Sequence, residues 1–225
     1  EKFSIIPKYT VTAPNASQKL TANRVSYVLW DALGYNPTVN VYYSTNNFSG
    51  PTYTWMCDNG NNTTNDGNFS WMVPDYLCGT VRVRVAYPLD ESAANTSAQF
   101  KIIPGLSVIA PRSSQDPYND IWPVGTVQEI KWNCTSANLS AVNLYYSIDG
   151  SNYTELIEEN VSNAFPANDT RTYNWTVENT ITPFFRVKVF DPDVENNSDI
   201  YNVSASNSKI IPFLNITSPN GNETY

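Results

Sequence analysis

One ten-residue phrase occurs three times in this chain, as IIPKYTVTAP at 5–14, IIPGLSVIAP at 102–111 and IIPFLNITSP at 210–219. The first two copies start 97 residues apart, and the next two start 108 residues apart. A period near 100 residues is too long for solenoid repeats but matches the length of one β-sandwich domain. The phrase therefore predicts a junction, where the last strand of one domain runs into the first strand of the next.

These junctions predict the domain organisation. Residues 1–7 end a preceding repeat, 8–104 form repeat 1, 105–212 form repeat 2, and 213–225 begin a further repeat. Because the chain starts and stops within repeats, we expect it to be an internal segment of a longer protein. Each junction holds proline and no Gly/Ser run, which favours stiff head-to-tail linkage over prolines that only end strands.

The strand pattern is the same in both repeats. Valines at 81, 83 and 85 alternate with arginines, and FRVKVF at 185–190 repeats the alternation, as expected for half-buried strands. β-branched and aromatic residues dominate, and no segment shows a convincing helical period. About seven short strands per repeat predict an all-β fold of tandem Ig-like or fibronectin-III-like antiparallel β-sandwiches.

Composition argues against several classes of function. The chain has 13 Lys and Arg against 21 Asp and Glu, a net charge of −8 that disfavours nucleic-acid binding. Histidine is absent, which removes most nucleophile–histidine hydrolase designs and His-containing zinc sites. We therefore expect no enzyme activity and no metal site. We also expect no membrane span, since no run of 18 apolar residues occurs.

Glycosylation sequons, Asn-X-Ser/Thr, are unusually frequent. The 16 sites compare with roughly 5 expected by chance from the Asn and Ser/Thr content. The predicted glycosylated residues are Asn15, Asn47, Asn61, Asn62, Asn68, Asn95, Asn133, Asn138, Asn152, Asn160, Asn168, Asn174, Asn196, Asn202, Asn215 and Asn222.

Several of these sequons carry a large apolar middle residue, such as Phe69 or Trp175. On a strand, that arrangement places the Asn and the hydroxyl in solvent and the apolar side chain in the core. We therefore expect covalent N-glycans. The alternative is an Asn- and Thr-rich β-surface with no sugar attached.

The three cysteines and one acidic turn leave alternatives open. Cys57 and Cys78 lie in repeat 1 and would suit an extracellular disulfide, or else two separate buried thiols. Cys134 is expected to be buried as a small apolar residue. The oxygen-rich turn formed by Asp191, Asp193, Glu195 and Asp199 is of a kind that can hold calcium, although a solvated acidic turn is the usual explanation.

The tryptophans divide into two groups. Four of them recur at equivalent positions of the two repeats, which is typical of core residues: Trp30, Trp71, Trp132 and Trp175. Trp55 and Trp122 do not recur in this way, and we expect them to be the exposed ones.

Five segments together carry a family resemblance: WPVGTVQEIKW at 122–132, VNLYYSIDGSNYTELI at 142–157, YNWTV at 173–177, FRVKVFDP at 185–192 and ITSPNGNETY at 216–225. The chain resembles the Ig-like repeats of secreted and cell-surface proteins of bacteria and archaea. Those repeats are related to the Ser/Thr-rich domain of fungal cell-wall assembly proteins. The resemblance implies tandem surface-layer, stalk or adhesin modules, and it supplies no catalytic residues.

The sequence thus predicts a structural segment of a heavily N-glycosylated extracellular or cell-surface assembly, such as a surface layer, sheath, stalk or filament. Its expected partners are copies of itself, other cell-envelope proteins and glycans. Two alternatives remain: an adhesin or carbohydrate-binding ectodomain, and spacer repeats of a larger secreted enzyme. The preference for the first rests on resemblance at the level of the fold, and a fold alone does not determine function.

Overall fold

The computed structural model describes residues 6–50, 53–57, 62–112, 121–192, 200–215 and 218. The chain divides into two compact units, Glu1–Gly105 and Leu106–Tyr225, called here domain 1 and domain 2. Most of the predicted flanking pieces, 1–7 and 213–225, lies outside the described residues.

The described residues of domain 1 form ten strands. In chain order they are Lys8–Ala13 (β1), Lys19–Thr21 (β2), Val25–Leu33 (β3), Thr38–Ser44 (β4), Thr54–Trp55 (β5), Thr63–Thr64 (β6), Asn68–Met72 (β7), Cys78–Tyr87 (β8), Asp90–Thr96 (β9) and Phe100–Ile103 (β10). One sheet has the order β1-β3-β7, and the other has the order β2-β10-β8-β4-β5, with β6 pairing β4 and β9 pairing β8.

Domain 2 repeats this plan with nine strands in its described residues. They are Leu106–Ala110 (β11), Ile121–Pro123 (β12), Val127–Cys134 (β13), Ala141–Ser147 (β14), Glu155–Ser162 (β15), Thr170–Thr176 (β16), Thr182–Phe190 (β17), Tyr201–Val203 (β18) and Ser208–Ile211 (β19). Its sheets have the orders β11-β13-β16 and β12-β19-β17-β14-β15, with β18 pairing β17.

The opening segment of each domain contributes to both sheets. β1 pairs antiparallel with β3, and β2 then pairs in parallel with β10 in the opposite sheet. β11 and β12 do the same in domain 2. Pro14 and Pro111 follow β1 and β11 and have no N–H to donate, so the ladder ends there. The sequence pattern predicts antiparallel pairing alone, and the structure adds these two parallel pairs.

The core of each domain lies between its two sheets. The predicted inward valines of β8 and β17 are fully buried, as are the four recurring tryptophans to within a few per cent. Trp55 is 39% exposed, as predicted, but Trp122 is only 4% exposed, so its predicted exposure was wrong. Trp122 lies on β12 opposite Ile210 and packs against Trp175, with 6.0 Å between ring centroids.

All regular structure in the described ranges is β-strand. Accordingly, this part of the chain contains no helix with the length and apolar character needed to cross a membrane.

Candidate functional site: the sequon asparagines

Thirteen of the sixteen sequon asparagines lie in the described residues, and Asn61, Asn196 and Asn222 do not. Ten of the thirteen are exposed: Asn15, Asn47, Asn62, Asn68, Asn138, Asn152, Asn160, Asn168, Asn174 and Asn215. These side chains are spread over both domains and do not form one pocket. Each is a separate position at which a sugar could be attached.

The alternation expected within sequons is present on β7 and β16. Asn68 and Ser70 are exposed on β7, and Phe69 between them packs against the core of domain 1. On β16, Asn174 and Thr176 are exposed on either side of the buried Trp175. These two sequons therefore present both of their polar groups to solvent while the middle residue packs inward.

Asn152 lies in a turn organised by a carboxylate. The Asn152 amide Nδ2 donates to Asp149 Oδ2 at 2.6 Å, and the Asn152 and Ser151 backbone N–H groups donate to Asp149 Oδ1. These hydrogen bonds hold the pKa of the Asp149 carboxyl below its ordinary value. Asn152 is therefore an exposed residue to which a glycan could be attached, and it lies on a turn of defined geometry.

Two sequon asparagines have a structural role that the sequence analysis missed. Asn95 Oδ1 accepts the backbone N–H of Val11 at 2.8 Å, and Asn202 Oδ1 accepts that of Val108 at 2.8 Å. Both N–H groups lie at register shifts, in β1 and β11 respectively. Each Asn therefore links its strand to the opening strand of the opposite sheet.

The hydroxyls of these same two sequons are also buried and bonded. Ser97 Oγ accepts the N–H of Val83 at 3.0 Å, and Ser204 Oγ accepts the N–H of Val187 at 3.1 Å. The signal that could have separated them from the other sequons is their recurrence at equivalent places of both repeats.

Asn133 is the third half-buried sequon residue. Its Oδ1 accepts a hydrogen bond from Thr170 Oγ1 at 3.1 Å, and the sequon hydroxyl residue Thr135 is buried. Asn133 thus contacts a residue of the neighbouring strand, while the hydroxyl residue of its sequon is buried.

A hydrogen bond from a tryptophan indole on a strand to an asparagine in a loop also recurs in both domains. The Trp30 indole donates to Asn65 Oδ1 at 2.8 Å, and the Trp132 indole donates to Asn163 Oδ1 at 2.9 Å. The amide of Asn163 then donates to the Leu139 carbonyl at 2.7 Å. Neither Asn65 nor Asn163 is in a sequon, so part of the high Asn content is structural.

The structure does not bring Cys57 and Cys78 together, and the predicted disulfide is not formed in it. Residue 56, following β5, still hydrogen-bonds to β4, whereas Cys78 begins β8 on the other side of β4. Two strand spacings amount to about 10 Å, beyond the roughly 7 Å that a disulfide spans between Cα atoms. Cys134 is fully buried, as expected.

The predicted calcium turn lies largely outside the described residues, since Asp193, Glu195 and Asp199 are not among them. Asp191 is buried, and its backbone N–H donates to the Ile200 carbonyl at 2.9 Å. The described ranges contain no group of three or more acidic, Cys or His side chains that could hold a metal ion.

Domain 1 also contains a concavity of about 640 Å³. It lies between β5 and β7, and its lining includes Trp55, Met56, Phe69, Trp71 and Met72. The volume is within the range of small-ligand sites, and the polar residues Asn62, Thr63 and Ser70 line it beside the aromatic and apolar ones.

Domain 2 contains a fully buried arginine, Arg171, that the sequence analysis did not single out. Its Nη1 donates to the Asp169 carbonyl at 2.6 Å, and its Nη2 donates to the Phe165 carbonyl at 3.0 Å. Longer bonds reach the carbonyls of Cys134 and Asn163. The guanidinium thus holds the 163–169 loop against β13, which gives it a structural role.

Comparisons with known proteins concern the fold. No protein-family model matches the sequence, and no curated protein matches it. Among solved structures, the chain is similar to the fibronectin(III)-like modules of Clostridium thermocellum CbhA, at 11% identity and a TM-score of 0.30, covering 91% of this chain and 93% of that chain.

Two further neighbours are fragments of several domains. The ICAM-5 D1–D4 ectodomain fragment is 11% identical with a TM-score of 0.36, covering 92% of this chain and 54% of that chain. The N-terminal four Ig domains of Dscam1 isoform 8.4 are 7% identical with a TM-score of 0.35, covering 95% of this chain and 48% of that chain. The sheets described above confirm the predicted fold class, since each of the two units is an all-β sandwich of two sheets.

Proposed function

We propose that this chain is a structural segment of a heavily N-glycosylated extracellular or cell-surface assembly, and that it acts without catalytic turnover. In this proposal its Ig-like domains span distance, carry sugars and contact neighbouring copies or other envelope proteins. Surface layers, sheaths, stalks and filaments are assemblies of this kind.

The observation that carries the proposal is the exposure of the sequon asparagines. Ten of the thirteen described ones are exposed, and on β7 and β16 the sequon hydroxyl is exposed as well. If these Asn and Ser/Thr residues served only to form β-strands, both polar side chains of a sequon would not need to be accessible to a glycosylating enzyme.

The first experiment is glycopeptide mass spectrometry of native material. We expect glycan on several exposed residues, including Asn68 and Asn174. The structural sequons at Asn95 and Asn202 are internal controls and should show the lowest occupancy. Unmodified peptides at all exposed positions would contradict the proposal.

The assembly part of the proposal needs a separate experiment, electron cryo-microscopy of native cell-surface material. An ordered lattice or filament with extra density at the exposed asparagines is the expected result. Dispersed single molecules would contradict it and favour an adhesin or a spacer.

We propose stiff linkage as part of the same function, supported by the length of the junction. Only Pro104 and Gly105 separate β10 from β11. Small-angle X-ray scattering of the full chain tests it, since a broad distribution of interdomain distances would contradict stiff linkage.

The second candidate is a binding module, and the concavity between β5 and β7 is the observation that favours it. Titration of carbohydrate ligands against intrinsic tryptophan fluorescence tests this candidate. If the site binds sugar, Trp55→Ala should abolish the response, and Trp122→Phe in domain 2 should leave it in place. Absence of any response across a glycan array would reject it.

A further inference from the structure

The outer face of the β1-β3-β7 sheet carries an apolar strip. On the central strand β3, Val25, Tyr27 and Leu29 alternate with inward residues and are 54%, 53% and 40% exposed. Met72 of β7 lies directly opposite Val25 and is 60% exposed. Four adjacent apolar side chains on an outer sheet face call for something that covers them.

The equivalent face of domain 2 is different. On β13 the outward positions after Val127 are Glu129 and Lys131, which form an ion pair of 2.6 Å. Their β16 partners are Asn174 and Thr172. The same sheet position is therefore polar in domain 2 and apolar in domain 1, so the fold itself does not require the strip.

A sequon lies against the strip. Asn68 pairs directly with Leu29, and Ser70 pairs directly with Tyr27. Directly opposite residues of an antiparallel pair point to the same face, with Cβ atoms about 5 Å apart. A sugar joined to the Asn68 amide therefore starts beside Leu29, one residue pair away from Tyr27.

We propose that the N-glycan on Asn68 folds back over the strip formed by Val25, Tyr27, Leu29 and Met72. This rests on the proposed function, because it requires Asn68 to be glycosylated. The C–H face of a pyranose ring is apolar and flat, so it can remove apolar surface from water while its hydroxyls remain solvated. The glycan then acts as a cover for this sheet face as well as a surface decoration.

Domain 2 supplies the matched control. Asn174 pairs with Glu129, whose carboxylate already has Lys131 as a partner. A glycan on Asn174 starts beside this solvated ion pair and gains little by lying on the sheet. The proposal therefore predicts a glycan that is ordered on Asn68 and free on Asn174.

The test is hydroxyl-radical footprinting of the full glycosylated chain, read by mass spectrometry at Tyr27 and Met72. The variants are Asn68→Gln and Ser70→Ala, which remove the same sequon in different ways, and Asn174→Gln as control. We expect oxidation of Tyr27 and Met72 to rise several-fold in both domain 1 variants and to stay unchanged in the control.

Each outcome is informative. If the wild-type Asn68 peptide carries no glycan while other sites do, the proposed function survives and this inference falls. If Asn68 is glycosylated and the footprint does not change on its removal, packing on the strip is wrong. If protection persists without glycan and rises with protein concentration, a second copy covers the strip instead.

Discussion

The two domains fill the same space between their sheets with different side chains. In domain 1, Val81 of β8 lies opposite Phe100 of β10. At the same place in domain 2, Phe185 of β17 lies opposite Ser208 of β19, so the large side chain is on the other strand. All four residues are almost completely buried.

The hydrogen bonds made by asparagine side chains, by contrast, are found in both domains. Both domains have the bond from the core indole to an Asn and the bond from a strand N–H to Asn95 or Asn202. Apolar volume can be exchanged between neighbouring strands, since dispersion contacts have little directionality. A buried N–H needs an acceptor at one place, and this explains which features recur.

The largest expected effect comes from removing the large side chain at this position of the domain 1 core. Phe100→Ser alone should destabilise domain 1 by about 4 kcal/mol, because it leaves a cavity beside Val81. Adding Val81→Phe reproduces the arrangement of domain 2 and should recover part of the loss. Urea unfolding with hydrogen exchange to assign the transition measures this. Additive losses in the double variant would show that the two cores are not interchangeable.

The next effect concerns a residue present in only one domain. Arg171→Ala should destabilise domain 2 by about 3 kcal/mol, because the loop carbonyls that it bonds lose a charged donor. Arg171→Lys should recover only part of this, since an ammonium cannot reproduce the planar fork. The exposed Arg24→Ala is the control, with a change within about 0.5 kcal/mol. Equal effects at both arginines would remove the structural role of Arg171.

A smaller effect separates structural sequons from exposed ones. Asn95→Ala and Asn202→Ala should each cost about 1 to 2 kcal/mol, because they leave the Val11 or Val108 N–H without its acceptor. Asn95→Asp and Asn202→Asp also destroy the sequon but retain an acceptor oxygen, so they should cost less. If the Ala and Asp variants lose equal stability in thermal unfolding, the effect comes from the sequon and not from the hydrogen bond.

The comparison also predicts a difference in pH response. Asp149 and Asn46 hold equivalent turns, each bonded to the preceding serine. The folded-state pKa of Asp149 is depressed, so its hydrogen bonds contribute fully to the stability of the folded state above the ordinary pKa of 3.8. This contribution is lost as the pH falls through the lower folded-state pKa. NMR titration should show the Ser151 and Asn152 amides moving only below pH 3.8, while the Asn46 turn stays unchanged. Movement at both turns would point to general acid unfolding.

The smallest expected effect is in thiol reactivity. Cys78 is half-buried in domain 1, and Cys134 is fully buried in domain 2. Maleimide should therefore modify Cys78 before Cys134 in the native protein. If Cys78 reacts only after reduction, it forms the bridge to Cys57 that the sequence predicted, and the strand order of this sheet would need revision.

The strands, the recurring tryptophans and the inward valines could be predicted because alternation is a local signal. The three-residue strands β2 and β12 could not be predicted, since their partners β10 and β19 lie some 80 to 90 residues further along the chain. The same limit explains Trp122, which packs against Trp175 and Phe185, both more than 50 residues further along the chain.

The sequons divide in the same way. Asn68 could be placed at the surface from its own tripeptide on β7. Asn95 could not, because the N–H that it bonds belongs to Val11, 84 residues earlier. Exposure of a sequon residue is thus partly a local property, while its use in holding the sandwich together depends on contacts between distant parts of the chain.

The parallel pairing of β2 with β10 has a mechanical consequence. The entering chain reaches the sheet at the start of β2, and the leaving chain departs from the end of β10. Tension applied through the two ends of the domain therefore slides these parallel strands past each other, loading their hydrogen bonds in shear. Bonds loaded in this way must break together instead of unzipping one after another, and β12 with β19 gives domain 2 the same resistance.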